Sequence, residues 1–380
     1  MIKSKAKICF ILATELSVKA FLLNHLKVLS QYYDITIITN TKNPYFLTEI
    51  GIPICVLQMN ITRNINIMSD FKSLLSLVKI LYSGQFSAVH SVTPKAGLLA
   101  MLASWLVGVP LRVHTFTGQV WVSKKGMKRF LLKRIDCLIA ILTTDNIIDS
   151  PSQKQFLIDQ GVLIEKKSLV FAKGSISGVD VAKFKPNKLA RAEIRNDLEL
   201  TEECLLFAFI GRLNVDKGVL DLAKAFSRIS NNNLHLLFVG PDEQGMEAEI
   251  MKLQINQSNV HFVGHTSSPE AYMAAADVLC LPSYREGFGT VLIEAAAVGI
   301  PVIASRIYGI TDAVVDHETG LLHNPHDIDS IQQLMESMSS NHVLRAKLGG
   351  QARKRVIEGF NSELITQAWV DFYQEKLGVA

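Results

Sequence analysis

Glu286-Gly-Phe-Gly-Thr-Val-Leu-Ile-Glu294 sets two carboxylates on either side of a glycine-rich turn, followed by Ala295-Ala-Ala-Val-Gly299 and the strand-like Pro301-Val-Ile-Ala304. A strand ending near Ser283, a turn at Gly287 and Gly289 and a helix opening around Thr290 would leave backbone N–H groups unpaired at the positive end of a helix dipole. Those groups suit a phosphate oxygen. A carboxylate beside them accepts hydrogen bonds from sugar hydroxyls, so the two together ask for a nucleotide sugar. The same residues also read as a capped helix whose acidic first turns complement its dipole, and two glutamates at this spacing occur by chance, so the rest of the chain has to decide.

Three further groups bear on chemistry. Gly211-Arg212-Leu-Asn-Val-Asp216-Lys217-Gly218 follows a strand-like run and leads into a helical pattern at Val219. Arg212 offers a planar fork and Lys217 a point charge, beside glycines that admit a diphosphate to the backbone. Fixed cations of this kind stabilise the negative charge that develops on a leaving diphosphate, and structural salt bridging is the competing use. In the first half, Val113-His114-Thr-Phe-Thr117-Gly118 places a histidine at the end of a predicted parallel strand, on the side where open sheets bind ligands. A lone strand-end histidine is otherwise structural. His90-Ser91-Val-Thr93-Pro94-Lys95-Ala-Gly97 sits at a second strand-to-helix turn. Asp327-Ile-Asp329 follows Pro325 and reads as the cap of a helix N-terminus, so no metal is assigned, and no Ser-His-Asp or Cys-His set stands out.

The elements that must position these residues alternate along the chain. Strand-like runs at Ile8–Leu12, Ile35–Thr39, Ala88–Ser91, Arg112–Thr115, Cys137–Leu142 and Leu169–Phe171 are interleaved with helical patterns at Val18–Ser30, Asp70–Tyr82 and Pro94–Val107. The second half repeats the scheme, with strands at Leu205–Gly211, Leu234–Gly240, Val260–Val263 and Val278–Leu281 and helices at Leu220–Ile229 and Pro269–Ala275. Alternation of this kind predicts an α/β architecture of parallel sheets with crossover helices. At 380 residues the chain is too long for one ordinary core, so two domains are expected, joined where Gly174-Ser-Ile-Ser-Gly178-Val-Asp180 loosens the backbone before Pro186.

Hydrophobic residues make up 48% of the chain and charged ones 19%, a balance that predicts a well-buried globular protein without disorder. The five cysteines are odd in number and lack zinc spacing; they read as buried free thiols of a reducing compartment. The apolar run Ile8–Ala13 stops at Glu15, too soon for a signal peptide, and the uncharged run Ala96–Leu111 is broken by Gly108 and Pro110 and falls short of the roughly 20 residues that span a bilayer. Charge divides the halves: residues 1–184 carry 22 Lys/Arg against 10 Asp/Glu, and residues 185–380 carry 17 against 25. The densest cationic stretch, Trp121 to Arg134, interleaves Lys124, Lys125, Lys128, Arg129, Lys133 and Arg134 with large apolar groups, as expected of a segment on an anionic membrane surface. No nucleic-acid module is present, and a solvated basic helix face is the plain alternative.

The E-x7-E spacing of Glu286 and Glu294, the G-R-L and K-G elements carrying Arg212 and Lys217, and Gly178-Val-Asp180 with Phe184 four residues on together resemble the retaining glycosyltransferases of family 4. The resemblance implies the GT-B fold: two Rossmann-like domains whose parallel sheets face a central cleft, an N-terminal acceptor domain over 1–180 and a nucleotide-sugar domain over 181–361, with the last helix, about 362–380, crossing back to the first. It implies a metal-independent transferase with no cofactor beyond a UDP-sugar donor. Arg212 and Lys217 would bind the diphosphate and Glu294 the ribose, with Phe288, Gly289, Thr290 and His265 on the donor side. Glu286 and His114 would face the hexose, and front-face attack would leave the departing phosphate to take the acceptor's proton. The loop Ser91 to Gly97 looks like that of enzymes building cell-surface polysaccharide on lipid-linked precursors such as O-antigen. That places Thr93 and Lys95 near the acceptor, predicts a polyprenyl diphosphate saccharide as acceptor and a cytoplasmic enzyme peripheral to the inner membrane face, and makes N-acetylgalactosamine the first donor sugar to test. Many such enzymes have a Gly-Gly loop after the first strand; here the turn reads Ala13-Thr14-Glu15-Leu16-Ser17. A non-catalytic nucleotide-sugar-binding subunit and a transferase acting on a soluble acceptor are the alternatives.

Overall fold

The computed structural model describes residues 5–61, 66–253 and 255–378. The chain divides into two compact units, 1–177 with 362–380, and 178–361. The first contains β1 (Lys7–Ile11), α1 (Glu15–Phe21), α2 (Leu23–Tyr32), β2 (Asp34–Thr39), β3 (Cys55–Gln58), α3 (Ile67–Gly84) and β4 (Ala88–Val92). It continues through α4 (Pro94–Val107), β5 (Leu111–Phe116), α5 (Gly126–Leu142), β6 (Asp145–Ile148), α6 (Pro151–Asp159) and β7 (Ser168–Leu169). The second unit runs α7 (Lys188–Asp197), β8 (Leu205–Ile210), α8 (Val219–Ser227), β9 (Leu234–Val239), α9 (Met246–Met251), β10 (Val260–Val263), α10 (Pro269–Ala275) and β11 (Val278–Leu281). After α11 (Thr290–Val298), β12 (Val302–Ser305), α12 (Ile310–Ala313), β13 (Gly320–His323), α13 (Ile328–Ser340) and α14 (His342–Gly359), the chain ends in α15 (Ser362–Leu377), which belongs to the first unit.

Both sheets are wholly parallel, in the orders β3-β2-β1-β4-β5-β6-β7 and β10-β9-β8-β11-β12-β13. In each, the chain works outward from a central strand, then returns to the other side of that strand and works outward again. Right-handed crossovers place helices on both faces, and the reversals at β1/β4 and β8/β11 are the topological switch points, where loops at the strand C-termini diverge and open a crevice. Most of the candidate residues lie on or beside the loops after β4 and β5 in the first unit and after β8 and β11 in the second.

Burial explains why the sequence pattern was readable in some strands and misleading in others. The residues of β8 and β11 are buried throughout, giving the continuous apolar runs of a sheet covered on both faces. Cys137–Leu142, expected as a strand, is instead the end of α5: Ile139 and Leu142 are buried while Leu138 is 41% and Ile141 71% exposed. A helix with apolar residues on its solvent side imitates a buried strand over so short a window. The true strand is β6, whose buried Asp145 and Asn146 concealed it. The helix expected over Val18–Ser30 is two, because Leu22 leaves helical torsion at φ −120°, while the apolar stripe Val18, Leu22, Leu26, Leu29 runs unbroken through both. The strand expected at Leu169–Phe171 is only β7, and the edge strand β3 was not foreseen. All five cysteines are free; Cys9 and Cys280 are buried as expected, but Cys55, on that edge strand, is exposed.

α15 completes the first unit's core from the far end of the chain. Trp369 and Tyr373 are fully buried, Trp369 Nε1 donates to the Ile176 carbonyl at 3.0 Å, and Tyr373 hydroxyl lies 2.7 Å from His90 Nδ1. The Trp369 indole stacks on the imidazoles of His90 and His25, at 4.9 and 5.2 Å between ring centres.

Candidate active site

In the second unit the loops after β8 and β11 are drawn together by a glycine. Gly218 starts α8 at φ +69°, and a Cβ there would lie 2.1 Å from the Pro282 carbonyl oxygen, so only a residue without a side chain permits the approach. Tyr284 N–H donates to Asp216 O at 2.8 Å, and the Arg285 guanidinium pairs with the Asp216 carboxylate at 3.2 Å. The consequence is a contact between residues far apart in sequence: Lys217 Nζ lies 2.5 Å from Glu286 Oε1, the two side chains only 19% and 13% exposed. Asn214 holds the Lys217 end of this loop, its side chain accepting from Lys217 N–H at 3.2 Å.

Arg212 is paired too, with a residue that sequence reasoning missed. Its guanidinium meets the Glu243 carboxylate at 3.0 Å, and Asn214 Nδ2 donates to the same carboxylate at 3.2 Å. Glu243 follows the C-terminal end of β9, the neighbour of β8, and only that placement could have drawn attention to it. The salt-bridge alternative for both cations is therefore realised in this structure, through carboxylates at the sheet's functional rim.

Gly289 precedes α11 at φ +81° and contributes no side-chain cap, so the first N–H groups of a nine-residue helix meet no side-chain acceptor there. Phe288 is buried, with its ring against Phe360, and Thr290 is partly exposed at the helix start. Glu294 lies one turn further along. Burial pushes its carboxyl up to about 7, with Lys183 opposing the shift and Glu270 adding to it. Lys183 and Glu270 pair with each other at 3.4 Å. His265 is exposed beyond the edge strand β10, two strands over from β8. Asp327 caps α13, accepting from Ser330 N–H at 3.0 Å, and Asp329 pairs with Arg228.

In the first unit the rim is built by β4, β5 and α4. Thr93 joins β4 to α4 at φ +78°, an outlier for a β-branched residue, and its buried hydroxyl has no hydrogen-bond partner. Lys95 bridges to Asp70 of α3 at 2.7 Å, tying the first turns of two helices together. His114 is buried, not presented on an open surface: its Nδ1 is 2.8 Å from Ser91 Oγ, and its ring lies so close beneath Gly97 that a Cβ there would meet Cε1 at 2.4 Å. Burial pushes its pKa down to about 3, opposed by the Ser91 bond, so the imidazole is neutral. Trp121, expected among the outward groups of the basic segment, turns inward and donates to Asp136 Oδ2 at 2.8 Å. The cations after it stay at the surface, Lys124, Lys125, Lys128 and Arg134 exposed.

Comparison with known proteins gives this arrangement a family. Residues 190–355 match the family described as glycosyl transferases group 1. The chain is 31% identical over 317 residues to the capsular polysaccharide biosynthesis glycosyltransferase CapM of Staphylococcus aureus, covering 82% of each protein. It is 29% identical over 307 residues to the UDP-Gal:alpha-D-GlcNAc-diphosphoundecaprenol alpha-1,3-galactosyltransferase of Escherichia coli, covering 79% of this chain and 78% of that one. Among solved structures, Anabaena HepE in complex with UDP-glucose superposes with a TM-score of 0.81 at 17% identity over 97% of this chain and 99% of that one, a likeness of fold. With identity of this level running through four-fifths of a capsular glycosyltransferase and a GT-B fold beneath it, the chain belongs to the group 1 glycosyltransferases.

Proposed function

We propose that the enzyme moves a hexose or N-acetylhexosamine from a UDP-sugar to a saccharide on polyprenyl diphosphate, with retention of configuration, in the synthesis of a cell-surface polysaccharide. The observation that carries the reading is the pairing of Lys217 with Glu286 beside the uncapped start of α11, because it sets a cation, a carboxylate and backbone donors within one loop cluster. A diphosphate would compete with Glu243 for Arg212 and with Glu286 for Lys217; released from Lys217, Glu286 becomes an acceptor for hexose hydroxyls. Glu294 accepts from the ribose diol, and the N–H groups of Phe288 to Thr290 serve the distal phosphate. No protein nucleophile is required, since the departing phosphate takes the acceptor's proton.

On the acceptor side Thr93 and Lys95 stand at the strand-end rim, and His114, neutral, reaches a hexose only through the ring edge not bonded to Ser91. The relative's lipid-linked GlcNAc acceptor and its galactose donor support a polyprenyl-linked acceptor here and a galacto-configured donor, N-acetylgalactosamine first. The exposed cations of 124–134 would hold the enzyme on an anionic membrane face; among the described residues no helix is long and apolar enough to cross one.

The test is a transfer and hydrolysis screen over UDP-, GDP- and ADP-sugars with the purified enzyme and its variants. Arg212→Ala and Lys217→Ala should each lower turnover by about a hundredfold or more, the usual scale for removing a transition-state charge partner. Near-parental rates in both variants would remove the assignment, full inhibition by EDTA the metal-free mechanism, and preference for GDP-mannose the donor.

A further inference from the structure

The outer face of α3 carries a stripe of exposed apolar side chains. Met68, Phe71, Leu75 and Tyr82 are 71%, 56%, 54% and 76% exposed, at spacings that align them on one side of the helix, opposite the buried Ser73, Leu77 and Leu81. Lys72 and Lys79 flank this stripe and are exposed. α3 does not stand alone. Leu77 and Leu81 share one core cluster with Leu99 and Ala103 of α4 and Ile139 of α5, so the three helices form a single layer on one face of the sheet, with α4 in the middle. α5 continues the surface with Met127, Phe130 and Leu131, 70%, 52% and 54% exposed.

The acidic side chains of this layer decide what it meets. α3, α4 and α5 contain only Asp70 and Asp136. Asp70 is held by Lys95, and Asp136 is buried under the Trp121 indole. The outward face therefore combines uncompensated cations with large apolar groups. A second copy meeting it through the same face would bring the same charge against it, and nucleic acid has no apolar interior for Phe71 and Leu75 to enter. An anionic bilayer supplies both: headgroups for the lysines and acyl chains for the stripe. The direction fits as well, because a helix following a strand starts at the strand's C-terminal rim. The first turns of α3 and α5 lie at the same end as Thr93 and Lys95, as the Asp70–Lys95 bridge shows for α3 and α4.

We infer that α3 is a shallow membrane-insertion element, the apolar partner of the cationic α5 segment, and that together they set the acceptor rim of the first unit against an anionic lipid surface. The reading of the acceptor as lipid-linked gives this dock its purpose, but the dock itself stands on α3. Its signature is salt resistance, since acyl-chain burial survives screening that removes headgroup attraction.

The experiment is sedimentation with phosphatidylglycerol-containing vesicles at low salt and at about 0.5 M salt. The double variant Phe71→Ser/Leu75→Ser, whose substitutions lie on the surface, should lose the salt-resistant fraction by about tenfold or more. Lys124→Ser/Lys125→Ser/Lys128→Ser should lose the low-salt gain and keep the salt-resistant part. In Phe71→Trp, the emission of the introduced indole should shift to the blue and be quenched by brominated lipid. Parental high-salt retention of the α3 double variant, an introduced indole that brominated lipid leaves unquenched, or loss of a dimer in the double variant without lipid would each overturn the inference, the last in favour of an interface between copies. Donor hydrolysis and transfer to a detergent-dispersed acceptor should be unchanged in the double variant. Absence of both activities in the parent would sink the proposed function and leave the vesicle result standing.

Discussion

At the residue scale the informative group is Glu294, because its pKa and the task proposed for it pull in opposite directions. Burial raises its carboxyl from the ordinary range to about 7, whereas a carboxylate that accepts two hydrogen bonds from a ribose diol must be ionised. Donor binding should therefore strengthen as pH rises through about 7 and release a proton below that point. We expect kcat/KM for the UDP-sugar to rise between pH 6 and 8 with an inflection near 7, and Glu294→Gln to flatten the rise while raising KM. A parental profile with no inflection in that range would separate Glu294 from the donor. The same shift has a stability side. An acid whose folded pKa lies above its unfolded value favours the fold below the unfolded value and loses that contribution as pH climbs through the folded one, here between about 4.5 and 7. Thr93 poses a different question: a positive φ costs it on the order of 1–3 kcal/mol, and its orphan hydroxyl adds to that cost. Such strain at a strand-end turn supports the acceptor-side role proposed for Thr93.

At the element scale, two loops meet because Gly218 lets them. Gly218→Ala would put a Cβ 2.1 Å from a backbone oxygen at a positive φ, with no flexible side chain to give way. The expected cost is on the order of 2–4 kcal/mol in stability, with a raised KM for the donor as Lys217 is carried away from Glu286; thermal denaturation and donor kinetics on one sample check both. This contact also shows what could be read from the chain. Arg212, Lys217, Glu286 and Glu294 drew attention as candidates by type and by spacing around strand-to-helix turns, and β8 and β11 were legible as continuous apolar runs. That Lys217 would hold Glu286 and Arg212 would hold Glu243 could not be read, because those pairs are made by sheet order and not by sequence neighbourhood. His114 was legible as a strand-end histidine, but its burial beneath Gly97 depends on how closely α4 packs on β5. Cys137–Leu142 misled for the converse reason: apolar residues facing outward from α5 carry no mark that distinguishes them from core.

At the scale of the whole molecule, acid acts on the buried core of the first unit. The first buries three neutral imidazoles: His25, pushed down by burial to about 4, His114, pushed down to about 3, and His90, held well below its ordinary value by burial and by the nearby His114. A histidine whose folded pKa is depressed supports the fold above its unfolded value and loses that support as pH falls toward the folded one. Below about pH 6.5 each such group takes up to about 1.4 kcal/mol per pH unit from the first unit, until its own folded pKa is reached. Two of the three, His25 and His90, stack on Trp369 of α15, so their protonation acts where the end of the chain closes the first unit's core. In the second unit the groups oppose one another: acidification from about 7 to 4.5 removes a cost at Glu294, whereas His235, His261 and His323 are pushed down by burial and lose support in acid. We therefore expect calorimetry between about pH 7 and 5 to show a transition that moves down in temperature with acid, assigned to the first unit by tryptophan fluorescence, since Trp105, Trp121 and Trp369 all lie there. Trp369→Ala should lower that transition further, by roughly 3–5 kcal/mol of stability, and leave donor binding by the second unit in place. A tryptophan-reported transition that holds or rises as pH falls to about 5 would mean that the imidazoles titrate as solvated groups and that α15 is not what keeps them neutral.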